Sequence, residues 1–343
     1  MTVFTPRVLA AALTLPPTAY VGYRYLNRNM PSLKEIRIAN AEAAKKIKGS
    51  PPVAVFVGGT SGIGQGMAEA FGRWTNGEAH IVIVGRNQQA ADSILAQLPR
   101  PSSSSSPTTW THEFVQCDAT LMKNVHKASK EILQRHPKIN FLVMSPGVLA
   151  TDGRNETEEG IDKKLAVHYY ARWKFIDELL PALRKAKEAG EDSKVISVLA
   201  AGKGGEVNLD DLGLVKTFSL TNAALQAPTY NDLMMEEYSK RNPGTTFIHS
   251  YPGGVKTGLT SKSTSTLIRV AGSVMNTVLS PLLTSQDDCA EYMWSGVFNS
   301  DGDGAFRIGS KGEDLKKTRY FGNDEQRQKL WEHTVKTTAT PSS

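Results

Sequence analysis

Three glycines, Gly58, Gly62 and Gly64, stand at G-x-x-x-G-x-G spacing directly after the apolar run at 53–57 and before a stretch of helical periodicity. Glycines so placed let main-chain N–H groups at a helix N-terminus approach a diphosphate, because any Cβ would fill the space and the helix dipole favours an anion. Thr60, Ser61 and Ile63 complete the turn, making residues 58–64 candidates to hold the pyrophosphate of a dinucleotide. A glycine turn required only by packing is the alternative, and it does not account for the residues downstream.

A second apolar run ends in Gly85-Arg86-Asn87. An NAD-selective site presents Asp or Glu there to the ribose 2′-hydroxyl, whereas Arg86 can pair with a 2′-phosphate; the position favours NADP over NAD. Two further runs end in Cys117-Asp118-Ala119 and Met144-Ser145-Pro146-Gly147, which makes Asp118, Ser145 and Gly147 candidates to line the same crevice.

Positioning these groups requires a sheet. Short Val/Ile runs alternate with longer helical stretches, the pattern of repeated βα units and a parallel sheet. The expected strands are 53–57, 80–84, 113–117, 140–145, 194–199 and 246–250, with a weaker one at 305–308. Expected helices include 64–74, 90–97, 121–135, 160–186 and 228–241, preceded by an Ala- and Lys-rich helix at 32–48. The fold class is therefore α/β, a Rossmann-like doubly wound parallel sheet in a single domain over 51–310, with an N-terminal helical extension at 1–50 and a C-terminal segment at 311–343. The Ser-rich stretch 101–107 reads as a surface insertion without a core.

These motifs resemble those of the classical short-chain dehydrogenase/reductase family, over about residues 52–260 and toward 310. The turn at 58–64 is similar to the family's glycine motif, Asp118 matches the acid that touches the adenine, and residues 144–147 stand in the place of N-N-A-G. The segment Tyr251-Pro252-Gly253-Gly254-Val255-Lys256-Thr257 is similar to P-G-x-V-x-T. The resemblance implies that Pro252, Gly253, Val255 and Thr257 reach the nicotinamide amide and the phosphates. Tyr230-Asn-Asp-Leu-Met234 is similar to a divergent branch of the family common among fungal proteins.

Family chemistry is hydride transfer between nicotinamide and a carbinol or carbonyl carbon, aided by a Tyr, a Lys four residues on, a Ser and an Asn. Carried over residue by residue, these roles fall on Ala224, Pro228, Ala200 and His168, none of which keeps the family residue. Ser197 falls on an earlier Asn of the fifth strand. Tyr170 and Lys174 form the lone Y-x-x-x-K, but they precede the fifth strand and face away from His168 on a helix. His168 titrates near neutrality and is the first candidate for a substitute acid/base, with a hydrogen-bonded core histidine as the alternative. Tyr230 and Tyr169 are the second, and Lys203 could contact a phosphate or carboxylate at the cleft mouth.

Two function classes stay open. One is an NADP-dependent oxidoreductase acting on a lipophilic alcohol or ketone through a non-standard proton relay. The segment 258–285, rich in Leu, Val, Met, Ser and Thr, would be its substrate lid and suits a terpenoid, steroid-like or polyketide molecule. The other is a catalytically weak or inactive NADP(H)-binding protein with a structural or sensing role.

Composition sets the remaining limits. The chain of 343 residues is 40% hydrophobic and 22% charged, which excludes collagen, coiled coil and wholesale disorder. Its formal charge of +6 arises within residues 1–50, where eight bases meet two acids, so the body is neutral and no nucleic-acid surface is expected. Residues 1–30 have three readings: a cleavable presequence of mitochondrial type, a peripheral membrane anchor, or a helix packing on its own domain. Cytoplasmic and membrane-associated locations both stay open. Two cysteines and no H-x-x-x-H pair give no metal site, and family resemblance implies a homo-oligomer, a dimer or tetramer.

Overall fold

The computed structural model describes residues 31–49, 51–100, 110–257 and 283–340. The N-terminal segment 1–30, the Ser-rich stretch and residues 258–282 of the expected lid lie outside these. The seven strands are β1 (Val53–Val57), β2 (His80–Gly85), β3 (His112–Gln116), β4 (Phe141–Met144), β5 (Lys194–Val198), β6 (Thr246–Ser250) and β7 (Gly304–Ile308). They form one sheet in the order β3-β2-β1-β4-β5-β6-β7, parallel throughout. The order reverses between β1 and β4, which opens a crevice beyond their carboxyl ends.

The helices are α1 (Leu33–Ala44), α2 (Gly62–Trp74), α3 (Gln88–Gln97), α4 (Met122–Arg135), α5 over residues 163–188, α6 (Leu220–Arg241), α7 (Gln286–Asn299) and α8 (Asp324–Thr337). Strands covered on both faces read as continuous apolar runs, and β1 shows why. Its Val53, Val55 and Val57 enter a core shared with α4, α5, α6 and α8, while Ala54 and Phe56 enter a second core shared with α2, α3 and α7. Trp294 of α7 anchors the second core, stacking on Phe71 and donating its indole N–H to Met67 O at 3.0 Å.

Strand limits match the sequence expectation to within a residue; the helices depart from it further, for α1 ends at Ala44, α7 and α8 were not expected, and α6 starts earlier. Helix α6 was expected to start at Pro228, the usual place for a proline. It starts at Leu220, where Ser219 caps it by accepting from Asn222 N–H, and Pro228 sits inside the helix. The carbonyl that Pro228 leaves without a donor belongs to the exposed Ala224, so water can take it. Helix α8, which the sequence reading passed over as a C-terminal segment, is capped at both ends of a capping box by Asn323 and Gln326 and buries Leu330 and Thr334. At the other end of the chain, α1 docks on α7: Arg37 reaches Asp287 and Asp288, and Asn40 donates to Glu291.

Candidate active site

The glycine turn joins β1 to α2. Gly58 N–H donates to Val84 O at 2.9 Å and adopts φ +81°, a region an L side chain rarely occupies. A Cβ on Gly64 would land on Ser145 Oγ and lie 2.7 Å from Gly58 O, so no larger residue fits there. Ser61, the N-cap of α2, makes no side-chain capping bond, and the first N–H groups of the helix are left for another acceptor. Ser145 Oγ is itself buried with no hydrogen-bond partner. Bare N–H groups, a floor that excludes any Cβ and an unused hydroxyl are what a diphosphate would occupy, and the residues fit such a group.

Of the other expected contacts, Thr257 and Ser145 meet this turn directly. Thr257 packs against Gly62, with Thr257 Cγ2 3.3 Å from where a Cβ would be. Its segment is held by the Val255–Thr284 bridge, with Lys256 N–H donating to Thr284 O. Thr60 lies against Gly85 at the end of β2, and the adjoining Arg86 is exposed without a carboxylate partner among the described residues. Asp118 Oδ1 accepts from the N–H and hydroxyl of Thr120, which fixes the carboxylate beyond β3. Gly147 is exposed beyond β4, and Gly253 turns the chain after β6 with φ +75°. Of the segment 252–257, Thr257 is the residue in contact with the turn at 58–64, through Gly62.

The substitute acid/base candidates fare differently. His168 sits in a π turn, Ala166–Tyr170, within α5, and its Nε2 accepts from Val148 N–H at 3.3 Å. Burial, with Arg172 and Lys164 nearby, pushes the imidazole down to about 3, so it is neutral near pH 7 with its Nε2 lone pair already in use. His168 therefore holds the loop after β4, and the expected titration near neutrality is corrected. Tyr169 and Tyr230 are turned into the core. Tyr169 bonds Thr334 at 2.7 Å beneath α8, and Tyr230 donates to Leu212 O and Gln226 Oε1. Burial raises both phenols. Tyr170 meets His333 and Lys174 pairs with Glu178, away from the glycine turn.

Several groups the sequence reading missed organise the carboxyl ends of β4, β5 and β6. Arg172, one turn beyond His168, is fully buried yet meets no carboxylate among the described residues. It donates to Met144 O, Pro146 O, Val198 O and Ser197 Oγ, joining the carboxyl ends of β4 and β5. Burial lowers the guanidinium to about 9. Ser197 in turn donates to Asn231 Oδ1, and Asn231 Nδ2 donates to His168 O. Ala200 N–H donates to Nε2 of the buried His249, whose Nδ1 faces Asp232 at 2.5 Å. The spacing of His168 and Arg172, four residues apart on one helix, was the available signal for the first of these groups; nothing local flags His249.

The family model described as short chain dehydrogenase matches residues 52–267. The chain is 40% identical over 235 residues to oxidoreductase AN1596 of Emericella nidulans, covering 68% of this chain and 66% of that protein. It is 36% identical over 233 residues to oxidoreductase andH of Emericella variicolor, again over 68% of this chain and 66% of the relative. In both, the matched stretch falls just short of two thirds of the relative's length. Among solved structures, an alcohol dehydrogenase from Thermococcus sibiricus complexed with 5-hydroxy-NADP superposes with a TM-score of 0.54 at 16% identity, covering 76% of this chain and 97% of that one. At that identity the likeness concerns the fold.

Proposed function

The chain belongs to the short-chain dehydrogenase/reductase family of oxidoreductases, and from that membership we propose that it transfers a hydride between NADP and a lipophilic alcohol or ketone. The observation that carries this reading is the uncapped glycine turn at residues 58–64, where a Cβ on Gly58 or Gly64 would clash, with Thr257 against Gly62 and the unpartnered Ser145 hydroxyl against Gly64. A bound nicotinamide dinucleotide would supply the hydride there. The chain's own residues bind and orient it: α2's first N–H groups and Thr257 toward the phosphates, Asp118 toward the adenine, and the backbone of Val255 toward the nicotinamide amide.

Arg86 supports NADP as the preferred form, since an exposed guanidinium without a carboxylate beside it suits a 2′-phosphate. Apolar side chains at the rim support a lipophilic substrate. Leu149, beyond β4, is 38% exposed, and Leu225, near the start of α6 and against Gly205, is 40% exposed.

The absence of the family residues at Ala200, Ala224, Pro228 and His168, together with the neutral ring of His168, favours a second reading as an NADP(H)-binding protein without efficient turnover. Titration calorimetry with NADPH and NADH tests the shared premise, and no heat with either on folded protein would overturn both readings. Transfer of label from NADPH to ketones of a terpenoid and steroid panel separates them: turnover supports the enzyme, and tight binding without transfer supports the second reading.

A further inference from the structure

Five of the seven described tyrosines have hydroxyls committed within the protein. Tyr169 bonds Thr334, Tyr170 His333, Tyr230 Leu212 and Gln226, Tyr238 Trp173, and Tyr320 Glu236. Tyr251 and Tyr292 have no such bond among the described residues. Tyr292 lies on α7, in the layer opposite α6. Tyr251 is placed otherwise: half-buried, it directly follows β6 and precedes Pro252, at the carboxyl ends of the strands where the crevice opens.

A cation stands over it. Lys203 Nζ lies 4.8 Å from the centroid of the Tyr251 ring, and its ammonium has no carboxylate partner among the described residues. The turn bearing Lys203 is held from behind. Lys203 N–H donates to Ala200 O at 3.0 Å, and Ala200 N–H donates to His249 Nε2 at 3.2 Å. Asp232, which faces His249, is also 3.0 Å from Arg307 Nε on β7. This buried chain fixes an otherwise exposed lysine against the crevice tyrosine.

We infer that Tyr251 is the catalytic proton donor to the substrate oxygen and that Lys203 stabilises the phenolate it leaves, an inference that rests on the hydride-transfer reading above. In the reductive direction a bound NADPH would supply the hydride to the carbonyl carbon and would leave as NADP. The carbonyl π pair moves to oxygen and takes the proton of Tyr251 as the phenol O–H bond breaks. Water at the exposed side of Lys203 returns a proton to the phenolate. The ammonium over the ring face is placed to meet negative charge as it spreads into the ring when the proton leaves. The arrangement replaces a tyrosine and lysine on one helix by a tyrosine after β6 and a lysine after β5.

Two measurements test it. In cofactor-free protein, tetranitromethane attacks phenolate, so mass spectrometry should find nitration of Tyr251 slowed about threefold or more in Lys203→Met, with Tyr292 unchanged as the internal reference. Equal nitration of Tyr251 in both proteins would overturn the role of Lys203. With phenanthrenequinone and a panel of alicyclic ketones, Tyr251→Phe should lose about 10²-fold or more in kcat while its calorimetric Kd for NADPH stays within about twofold. Full activity in Tyr251→Phe overturns the donor assignment alone. Wild-type protein that binds NADPH but reduces none of the panel overturns the hydride-transfer reading, and the assignment falls with it.

Discussion

Replacing His168 by asparagine should remove a large part of the protein's sensitivity to mild acid. In the folded chain the ring is buried beside Arg172 and Lys164, which takes it from its ordinary 6.5 down to about 3. Below 6.5 the unfolded chain binds a proton that the folded chain refuses, so this group's contribution makes stability fall as pH falls, from about 6.5 toward 3. Between pH 7 and pH 5 the difference is worth about 2 kcal/mol, since the unfolded ring is mostly protonated at pH 5 and the folded ring is not. His80, His112 and His333 are lowered in the same direction, so the informative quantity is the difference between wild type and variant. Urea unfolding at the two pH values measures it: wild type should lose about 2 kcal/mol more than His168→Asn. Equal losses would refute a neutral His168 and restore it as an acid/base candidate near the nicotinamide segment.

Gly62→Asp places a side chain at φ +60° beside Thr257 and a like charge against the diphosphate; at about 4 Å and an effective dielectric near 20 the repulsion is about 4 kcal/mol, so calorimetric NADPH affinity should fall about 10²-fold or more. Arg86→Asp should shift the ratio of NADPH to NADH affinity toward NADH by about tenfold or more, and an unchanged ratio would remove Arg86 from the 2′-phosphate. Arg172→Met leaves Ser197 Oγ and three carbonyls short of a donor in the interior and should cost about 3 kcal/mol or more in urea unfolding.

The glycine turn was legible because its constraints are local. A Cβ at Gly64 has nowhere to go, and the consequence is written in a few consecutive residues between a strand and a helix. Arg86 directly follows β2 and Asp118 lies two residues beyond β3, so the strand ends brought both to notice. The tyrosines were not. Tyr169 and Tyr230 sit on helices whose faces are set by α8, an element that sequence periodicity did not bring to notice, and it is Thr334 and Gln226 that absorb their hydroxyls. The start of α6 was misjudged because Pro228 reads locally as a first-turn residue, whereas Ser219 and the tertiary packing of Ala223 and Ala227 carry the helix through it.

Arg172 shows why the altered half of the site still holds its shape. A guanidinium taken out of water without a counter-ion costs several kcal/mol, yet its planar fork can satisfy diverging carbonyls at once. Here the carbonyls belong to Met144 and Pro146 after β4 and to Val198 at the end of β5, two strands that must end at matched height for the crevice to exist. The same residue fixes Ser197, which fixes Asn231, which holds the carbonyl of His168 at the π turn. Side chains at the site can therefore change identity while the backbone they hang from stays in register. That separation keeps the carboxyl ends of β4 and β5 level whatever side chains line the crevice above them.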